Sequence, residues 1–460
     1  MSSIMDPLVE LCEWASSVSF EELDADVRQA ARDVLLDDLG AILGGSAEPR
    51  MAALREDRLR CAGPGSSAVF GVPLQYADPL SAAEVHGMAG CWLELDEGYR
   101  VRGCHAGLYT VPAAFALAQD RDLSGAEALL ALVTAYEVVT RVARAWRLPR
   151  QVAHVHGVFS PIGAAAAASK IMGFDAKTFT EAVRAAAAVA LVAPYRQAME
   201  GALVRNVWAG AGARLGIQAA WNALRGVAGS EATLEEAFER ALGAEPRPEE
   251  LTHSLGSEYA VTYGYHKPFA CCRHLHAAVG AALSLREDEQ SRWKSDELKY
   301  PSRIVVETHA DAAGLDARQP HNPLSAKFSL PHAVAVALAT GSAGIEAFKE
   351  EAIHQPAVGA LRDRVHIRVL DDIGGYPDDR ATRVTVEWPD GTSSSSHCLR
   401  PPGDPSVPLS REELDGKFEG LASRTLPVEA VEGLRSFVEN LEGQTSMRDW
   451  LGPGVQPTAP

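Results

Sequence analysis

An acidic stretch followed by a histidine is the first part of the chain with the residue types for catalysis. The segment LELDEGYRVRGCHAG (residues 93–107) places Glu94, Asp96 and Glu97 ahead of His105. A carboxylate beside an imidazole orients the ring and raises its pKa, which makes an acid–base pair. Acidic loops are often simply solvated, but this one lies between the apolar segments HGMAGCWL and LYTVPAAFALA. We therefore expect it to form one wall of an active site.

A cationic cluster is the second candidate. KPFACCRHLHAA (residues 267–278) gathers Lys267, Arg273, His274 and His276 in a chain that is otherwise strongly acidic. Guanidinium and ammonium groups suit small polyanions, so the cluster predicts a carboxylate-binding pocket; the alternative is a set of salt bridges to an acidic surface. Adjacent cysteines rarely bind one tetrahedral metal, and no second CxxC or HxxxH pair completes a site. We therefore predict no metal.

A pair of histidines precedes an expected helix. In QVAHVHGVFSPIG (residues 151–163), His154 and His156 stand just ahead of Ser160 and Pro161, which have the N-cap and N1 pattern of a helix start. The approach to a helix N-terminus favours anionic groups. Histidine serves structural and catalytic roles equally well at such a place, so both interpretations stay open.

Two other patterns bear on the class of enzyme. The glycine run GAGARLG (residues 210–216) has no strand before it and lacks dinucleotide-binding spacing, so it predicts close helix packing. No GxSxG pattern is present and no family signature surrounds a cysteine, which disfavours a covalent hydrolase.

The elements that position these residues are predicted to be helical up to about residue 262. SGAEALLALVTAYEVVTRVARAW opens with Ser124 and Glu127 in capping-box spacing, which predicts a helix to about Trp146. DVRQAARDVLLDDLGAILGG places its apolar residues on one 3.6-residue face and is expected to end at Gly44 and Gly45.

From about residue 263 the pattern changes to alternating strands and helices. The predicted strands are 303–309, 365–370, 383–388 and 393–399, the last two joined as a hairpin across residues 389–392, and the predicted helices lie near 331–340 and 343–354. The predicted fold is mainly α, with a large all-helical domain plus a smaller α+β lid domain. The boundaries are 1–262 for the first part of the helical domain, 263–402 for the lid, 403–452 for C-terminal helices that return to the helical domain, and 453–460 for a flexible tail.

Composition limits the partners. The chain has 460 residues, 47% of them hydrophobic, and a formal net charge of −18, which predicts a globular protein of about two domains. No basic block offers a surface for nucleic acid or anionic lipid. The N-terminus lacks the basic and apolar segments of a secretory signal, and the longest apolar run, residues 185–193, is about half a bilayer span. With seven scattered cysteines interpreted as thiols, we expect a cytoplasmic protein.

In their order along the chain, these segments resemble the MmgE/PrpD family, which includes 2-methylcitrate dehydratases, cis-aconitate decarboxylases and iminodisuccinate epimerases. The resemblance runs from about residue 5 to about residue 450 and includes VLLDDLGAILGG, HVHGVFSPIGAAAAASKIMGFD, KPFACCRHLHAAV and AKFSLPHAVAVALATG. It implies an all-helical domain with an α+β lid, an active site between them, a homodimer, and neither metal nor cofactor.

The resemblance also implies roles for individual positions. The family's DFDDT segment falls on residues 94–98, its His-Pro-Gly on residues 105–107, and the histidine ahead of its alanine-rich helix on His154. The family's basic residue after the central helices falls on Arg205, and its lid lysine falls on Lys267. The second cysteine of its Cys-Cys pair falls on Cys272, and the aromatic residue of its FSLPY segment falls on His332. The chain departs from the family pattern at four positions. Glu94 stands where the family usually has aspartate, and Gly98 stands where it has a hydroxyl residue. Arg205 stands where the family has lysine, and His332 where it has tyrosine.

The leading hypothesis is a cofactor-independent hydro-lyase that eliminates water from a small di- or tricarboxylate. The predicted catalytic residues are Asp96, His105, His154, Lys267 and His332. The predicted substrate-binding residues are Glu94, Arg205, Cys272, Arg273 and His276. Decarboxylation and epimerisation pass through the same kind of stabilised carbanion, so an isomerase or decarboxylase is the alternative. A catalytically lapsed ligand-binding protein is a further alternative, which the four departures favour and the retained Asp96, His105, His154 and Lys267 oppose.

Overall fold

Helices dominate the N-terminal part of the chain, as the sequence predicts. The computed structural model describes residues 6–149, 151–293 and 300–451, so the predicted tail lies outside the described residues. The helices are α1 (Pro7–Ser17), α2 (Ala25–Ser46), α3 (Pro49–Leu59), α4 (Pro79–Gly90), α5 (Ala106–Arg121), α6 (Gly125–Ala145), α7 (Val155–Ile171), α8 (Ala176–Ala188), α9 (Arg196–Met199) and α10 (Trp208–Ala223). Within the described ranges, none of the helices is long and apolar enough to span a membrane.

The capping box predicted for α6 is present. Ser124 Oγ accepts a hydrogen bond from the Glu127 backbone, and the Glu127 carboxylate accepts one from the Ser124 backbone. Helix α2 continues through the two glycines at which it was expected to end and stops at Ser46.

The start of α7 differs from the prediction. The helix begins at Val155 with His154 as its N-cap, so Ser160 and Pro161 lie inside it. Proline has no N–H to donate, which leaves the carbonyl of Gly157 without its helical partner. The backbone N–H of Leu191 donates to that carbonyl at 3.0 Å. Because a neighbouring segment satisfies the carbonyl, the helix passes through the proline, and the sequence pattern alone did not reveal it.

The glycines of α10 allow close helix packing, as predicted. A Cβ on Gly216 would overlap the Pro161 carbonyl oxygen, and a Cβ on Gly210 would overlap the Glu84 carbonyl oxygen. Helix α10 therefore packs directly on α7 and α4. This packing fixes the segment before α10, which carries Arg205.

The C-terminal half is mixed, with helices α11 (His276–Asp288), α12 (Gln290–Trp293), α13 (Ala310–Ala313), α14 (Pro323–Lys327), α15 (Leu330–Thr340), α16 (Glu350–Ile353), α17 (Pro356–Arg362), α18 (Arg411–Ala422) and α19 (Val428–Glu439). The strands are β1 (Ser67–Val69), β2 (Gln75–Ala77), β3 (Gly98–Tyr99), β4 (Trp146–Arg147), β5 (Glu245–Pro246), β6 (Gly264–Tyr265), β7 (Arg303–Thr308), β8 (Val365–Val369), β9 (Thr382–Glu387) and β10 (Ser393–Cys398).

The four strands predicted after residue 263 form one sheet in the order β10-β9-β7-β8. Strands β7 and β8 run parallel, and the other neighbouring pairs are antiparallel. The helix predicted at 343–354 is instead a 3₁₀ turn, Ile345–Phe348, followed by α16. The short strands β1 to β6 were not predicted because each has only two or three residues.

The buried apolar residues form two hydrophobic cores. The first joins the N-terminal helices with α18 and α19, and the second lies around the four-stranded sheet, α11 and α15. Helix α18 returns to α2, where Gly40 and Gly44 admit Phe418 and Leu421. That the second part forms a lid domain stays a prediction, as do the domain boundaries.

Candidate active site

The acidic segment lies where the two cores meet. Leu93 and Leu95 pack in the second core, whereas Tyr99 and Cys104 pack in the first. Glu94, Asp96 and Glu97 are 2%, 0% and 0% exposed. The segment is therefore not a solvated loop. Buried carboxylates require charged or hydrogen-bonding partners, and each of these has them.

Asp96 joins a histidine to a lysine. Its Oδ2 lies 2.6 Å from His105 Nδ1, and its Oδ1 accepts a hydrogen bond from Lys267 Nζ at 2.9 Å. The other neighbour of His105 Nδ1 is the Glu97 carbonyl oxygen, at 3.1 Å. Both neighbours of Nδ1 are acceptors, so Nδ1 carries a proton and Nε2 is left for proton transfer. The sequence predicts that Asp96 or Glu94 contacts one of the histidines, and in the structure Asp96 contacts His105.

Glu94 forms a second buried ion pair. Its carboxylate contacts the Arg205 guanidinium, and both side chains are nearly inaccessible. Its other oxygen lies 3.8 Å from Lys267 Nζ. Glu94 has φ +59°, a left-handed conformation that is uncommon for residues other than glycine. Backbone strain of this kind clusters at functional sites, because the surroundings must hold it.

These ion pairs fix the charge states of the inner groups. Burial alone would raise the pKa of the Asp96 carboxyl, but Lys267 and His105 hold it well below its usual range. Burial alone would lower the pKa of Lys267, but Asp96 and Glu94 raise it above its usual value. Asp96 is therefore an anion and Lys267 a cation at neutral pH. Lys267 acts as a fixed charge and not as a general base.

Two further histidines extend the site from His105. The rings of His105 and His156 meet edge-on with centroids 4.8 Å apart, and those of His156 and His154 are 4.4 Å apart. His154 also stacks on Tyr195. Burial and the Arg205 charge lower the pKa of both His154 and His156 well below the usual range, so both rings are neutral. The sequence drew attention to His156 but did not assign it to the site.

Cys272 and Arg273, which the sequence also predicts for the site, have different surroundings. Burial raises the pKa of the Cys272 thiol to about 11, and the charges of Glu94, Lys267 and Arg205 also affect this pKa. Arg273 donates hydrogen bonds to Asp404 at 3.3 Å and to the Pro402 carbonyl at 3.1 Å, so its charge is already engaged.

Two predicted residues do not contact the inner cluster directly. His276 lies beyond Arg273, with Nδ1 3.2 Å from the guanidinium and Nε2 3.1 Å from the Cys271 carbonyl. His332 contacts the Ala347 carbonyl at 2.9 Å, and burial lowers its pKa to about 4. Its role as a proton donor stays a prediction.

In the parts of the chain that the structure describes, no group of three His, Cys, Asp or Glu residues is arranged to hold a metal ion.

A second layer of carboxyl groups supports the acidic segment. Glu97 accepts hydrogen bonds from the Tyr136 hydroxyl at 2.7 Å and the Gly107 backbone at 2.8 Å. Asp38 Oδ1 accepts from the Glu97 backbone at 3.0 Å. Burial raises the pKa of Glu97 to about 7, and burial with the nearby Glu97 charge raises that of Asp38 well above its usual value. The sequence signal for this layer was the pair of aspartates within the apolar helix segment VLLDDLGAILGG.

A cleft of about 490 Å³ opens beside the histidines. Tyr195, which stacks on His154, lines it, as do Gly103 and Val155, which are close in sequence to His105 and His154. Its charged lining consists of Arg100, Arg102, Arg147, Arg380, Asp311, Asp371 and Asp379. In a chain with a formal net charge of −18, a cleft where arginines outnumber aspartates is suited to an anionic ligand.

Comparison with known proteins covers almost the whole chain. Residues 9–247 match the model of the MmgE/PrpD N-terminal domain, and residues 269–443 match that of the MmgE/PrpD C-terminal domain. The chain is 28% identical to the cis-aconitate decarboxylase-like protein oryM of Aspergillus oryzae, over 96% of both chains. It is 24% identical to the cis-aconitate decarboxylase of Aspergillus terreus, over 96% of this chain and 94% of the relative. It is 27% identical to the cis-aconitate decarboxylase of Homo sapiens, over 90% of this chain and 88% of the relative.

Proposed function

Because the chain belongs to the MmgE/PrpD family, we propose that it is a cofactor-independent lyase that removes CO2 from a small di- or tricarboxylate. The observation that carries the proposal is the buried Asp96–His105 pair beside Lys267. The sequence alone favoured elimination of water. The names of the relatives, all cis-aconitate decarboxylases or similar to one, favour decarboxylation by the same kind of site.

The inner cluster supports acid–base chemistry more than anion capture. Glu94 and Asp96 offset the charges of Arg205 and Lys267, so these four groups carry no net charge together. Arg100 is already paired with Asp379 and Asp404, so the other cleft arginines, Arg102, Arg147 and Arg380, are the groups that attract a polyanionic substrate and hold its outer carboxylates.

Proton transfer is proposed for His105. Loss of CO2 breaks a carbon–carbon bond and leaves its electron pair on the substrate, where a neighbouring carboxylate or double bond delocalises it. A proton must then reach carbon, and we assign its transfer to the imidazolium form of His105, which gives up the Nε2 proton and returns to the neutral ring with its proton on Nδ1. The Asp96 carboxylate stabilises the imidazolium that His105 forms when it takes up a proton again. The neutral rings of His156 and His154 pack in turn beside His105.

The departures from the family pattern leave the charges in place. Glu94 keeps the negative charge of the family's aspartate, and Arg205 keeps the positive charge of its lysine. The two side chains contact each other. A lapsed site would have no need to hold Glu94 in a left-handed conformation or to bury four charged side chains. This argument favours an active enzyme over a ligand-binding protein.

The experiment follows a panel of hydroxy- and unsaturated di- and tricarboxylates, cis-aconitate among them, by NMR in deuterium oxide. We expect loss of CO2 with one deuterium at carbon. Loss of water would support the hydro-lyase instead, and exchange without net change would support an isomerase. Binding by thermal shift without any turnover would overturn the enzyme proposal. His105→Ala should abolish turnover, and His253→Ala, at an exposed histidine, is the matched control.

A further inference from the structure

A tyrosine that the sequence did not single out lies across a glycine of the acidic segment. Tyr265 in β6 is paired directly with Gly98 in β3. A Cβ on Gly98 would overlap the Tyr265 hydroxyl, so the ring occupies the space that a side chain at 98 would fill. The resemblance placed a hydroxyl residue at position 98. In this chain, the hydroxyl group nearest that position belongs to Tyr265.

The surroundings of Tyr265 are those of the active site. Its ring meets His105 nearly at right angles, with centroids 6.3 Å apart. The guanidinium carbon of Arg273 lies 4.5 Å from the ring centroid. Burial raises the pKa of Tyr265 to about 12, although Lys267, Arg380 and Arg273 act in the opposite direction. The hydroxyl therefore keeps its proton at neutral pH and lies within reach of three positive charges.

The hydroxyl has no hydrogen-bond partner among the residues that the structure describes, although Tyr265 is only 4% exposed. Among the described residues, it is not one of the fully buried polar atoms that lack a partner, so its oxygen is open to solvent. Phenylalanine would pack over Gly98 equally well, so the packing of the ring does not explain the hydroxyl. The hydroxyl can therefore exchange a water molecule for a polar group of the substrate.

We propose that the Tyr265 hydroxyl is a catalytic group that donates a hydrogen bond to a carboxylate oxygen of the substrate beside His105. The inference rests on the proposed function and deepens it by naming a substrate contact. As the carbon–carbon bond breaks and electron density moves into this carboxylate, its oxygen becomes more negative and the hydrogen bond strengthens. Arg380 adds a positive charge that acts on the same hydroxyl.

The test compares Tyr265→Phe with Tyr263→Phe, whose ring is 36% exposed and lies two residues earlier. We expect Tyr265→Phe to lower kcat about 100-fold with a smaller change in KM, as for loss of one donor to a developing negative charge. It should also raise the Kd of tricarballylate, an unreactive tricarboxylate, about tenfold in calorimetry. Tyr263→Phe should match the wild type. Values of kcat and Kd for Tyr265→Phe within threefold of wild type would overturn the proposal.

Gly98→Ala provides a second variant. Its methyl group should displace the Tyr265 hydroxyl and lower kcat to a similar extent. The methyl group also meets ring carbons that phenylalanine would keep, so the double variant is made with Tyr265→Ala. It should be no worse than Tyr265→Ala alone, because both changes remove the same contact. Independent, multiplying losses would contradict the proposal.

The two proposals fail in different ways. Wild-type protein that binds tricarballylate but turns over no carboxylate would refute the proposed function, and the Kd ratio would then decide the role of Tyr265 by itself. Wild-type protein that binds neither tricarballylate nor cis-aconitate would refute both.

Discussion

Replacing Asp96 by asparagine tests how the site activates its histidine. The substitution keeps the shape of the side chain but removes the negative charge between His105 Nδ1, at 2.6 Å, and Lys267 Nζ, at 2.9 Å. The amide presents N–H groups as well as an oxygen, so His105 loses the charged acceptor that fixes its tautomer. Lys267 keeps Glu94, at 3.8 Å, as its remaining counter-charge.

The magnitudes follow from complete burial of Asp96. Removing one partner of a buried ion pair costs about 3–5 kcal/mol of unfolding free energy, and the isosteric amide should give the lower end. General acid–base catalysis contributes about 10²–10⁴-fold, so kcat should fall by about that factor.

The matched control is Glu137→Gln. Glu137 is also buried and pairs with Arg141 at 2.7 Å, but it lies away from the histidines. We expect both variants to lower the midpoint of urea unfolding, whereas only Asp96→Asn should lower kcat. A folded Asp96→Asn variant that keeps more than a tenth of wild-type kcat would refute the assignment of Asp96 and His105.

Two predictions concern stability. Glu97, whose pKa burial raises to about 7, stabilises the fold in its neutral form below about pH 4.5, and this contribution is lost as pH rises through 7. Between pH 4.5 and pH 8, the unfolding free energy of Glu97→Gln measured in urea should therefore rise by up to about 3 kcal/mol relative to that of the wild type. A difference between the two proteins that does not change with pH would contradict this. Gly216→Ala should lower the unfolding free energy by about 1–3 kcal/mol, because its methyl group meets the Pro161 carbonyl of α7. The exposed Gly416→Ala, with open space around it, is the control and should not destabilise.

Much of the fold followed from local sequence patterns. The capping box at Ser124, the four strands after residue 300 and the glycine packing of α10 depend on spacing that is visible in the sequence. The start of α7 did not follow, because the partner of the Gly157 carbonyl is Leu191, which is distant in the chain. A local pattern carries no information about such a partner.

Part of the site could also be predicted from local sequence patterns. Glu94, Asp96 and His105 share one segment, so their proximity was visible. The cationic cluster drew attention to Lys267, and the resemblance supplied Arg205. The contact of Tyr265 with Gly98 depends on the pairing of two two-residue strands, which no periodicity reveals. Likewise, Asp38 supports Glu97 from a helix that the pattern describes only as apolar.

The central claim is tested most directly by incubating the protein with carboxyl-labelled ¹³C cis-aconitate and following the label by ¹³C NMR. We predict that label appears as CO2 and bicarbonate together with a five-carbon dicarboxylate, and that His105→Ala produces neither. Conversion to a six-carbon hydroxy acid, or complete recovery of labelled cis-aconitate with wild-type protein, would contradict the account.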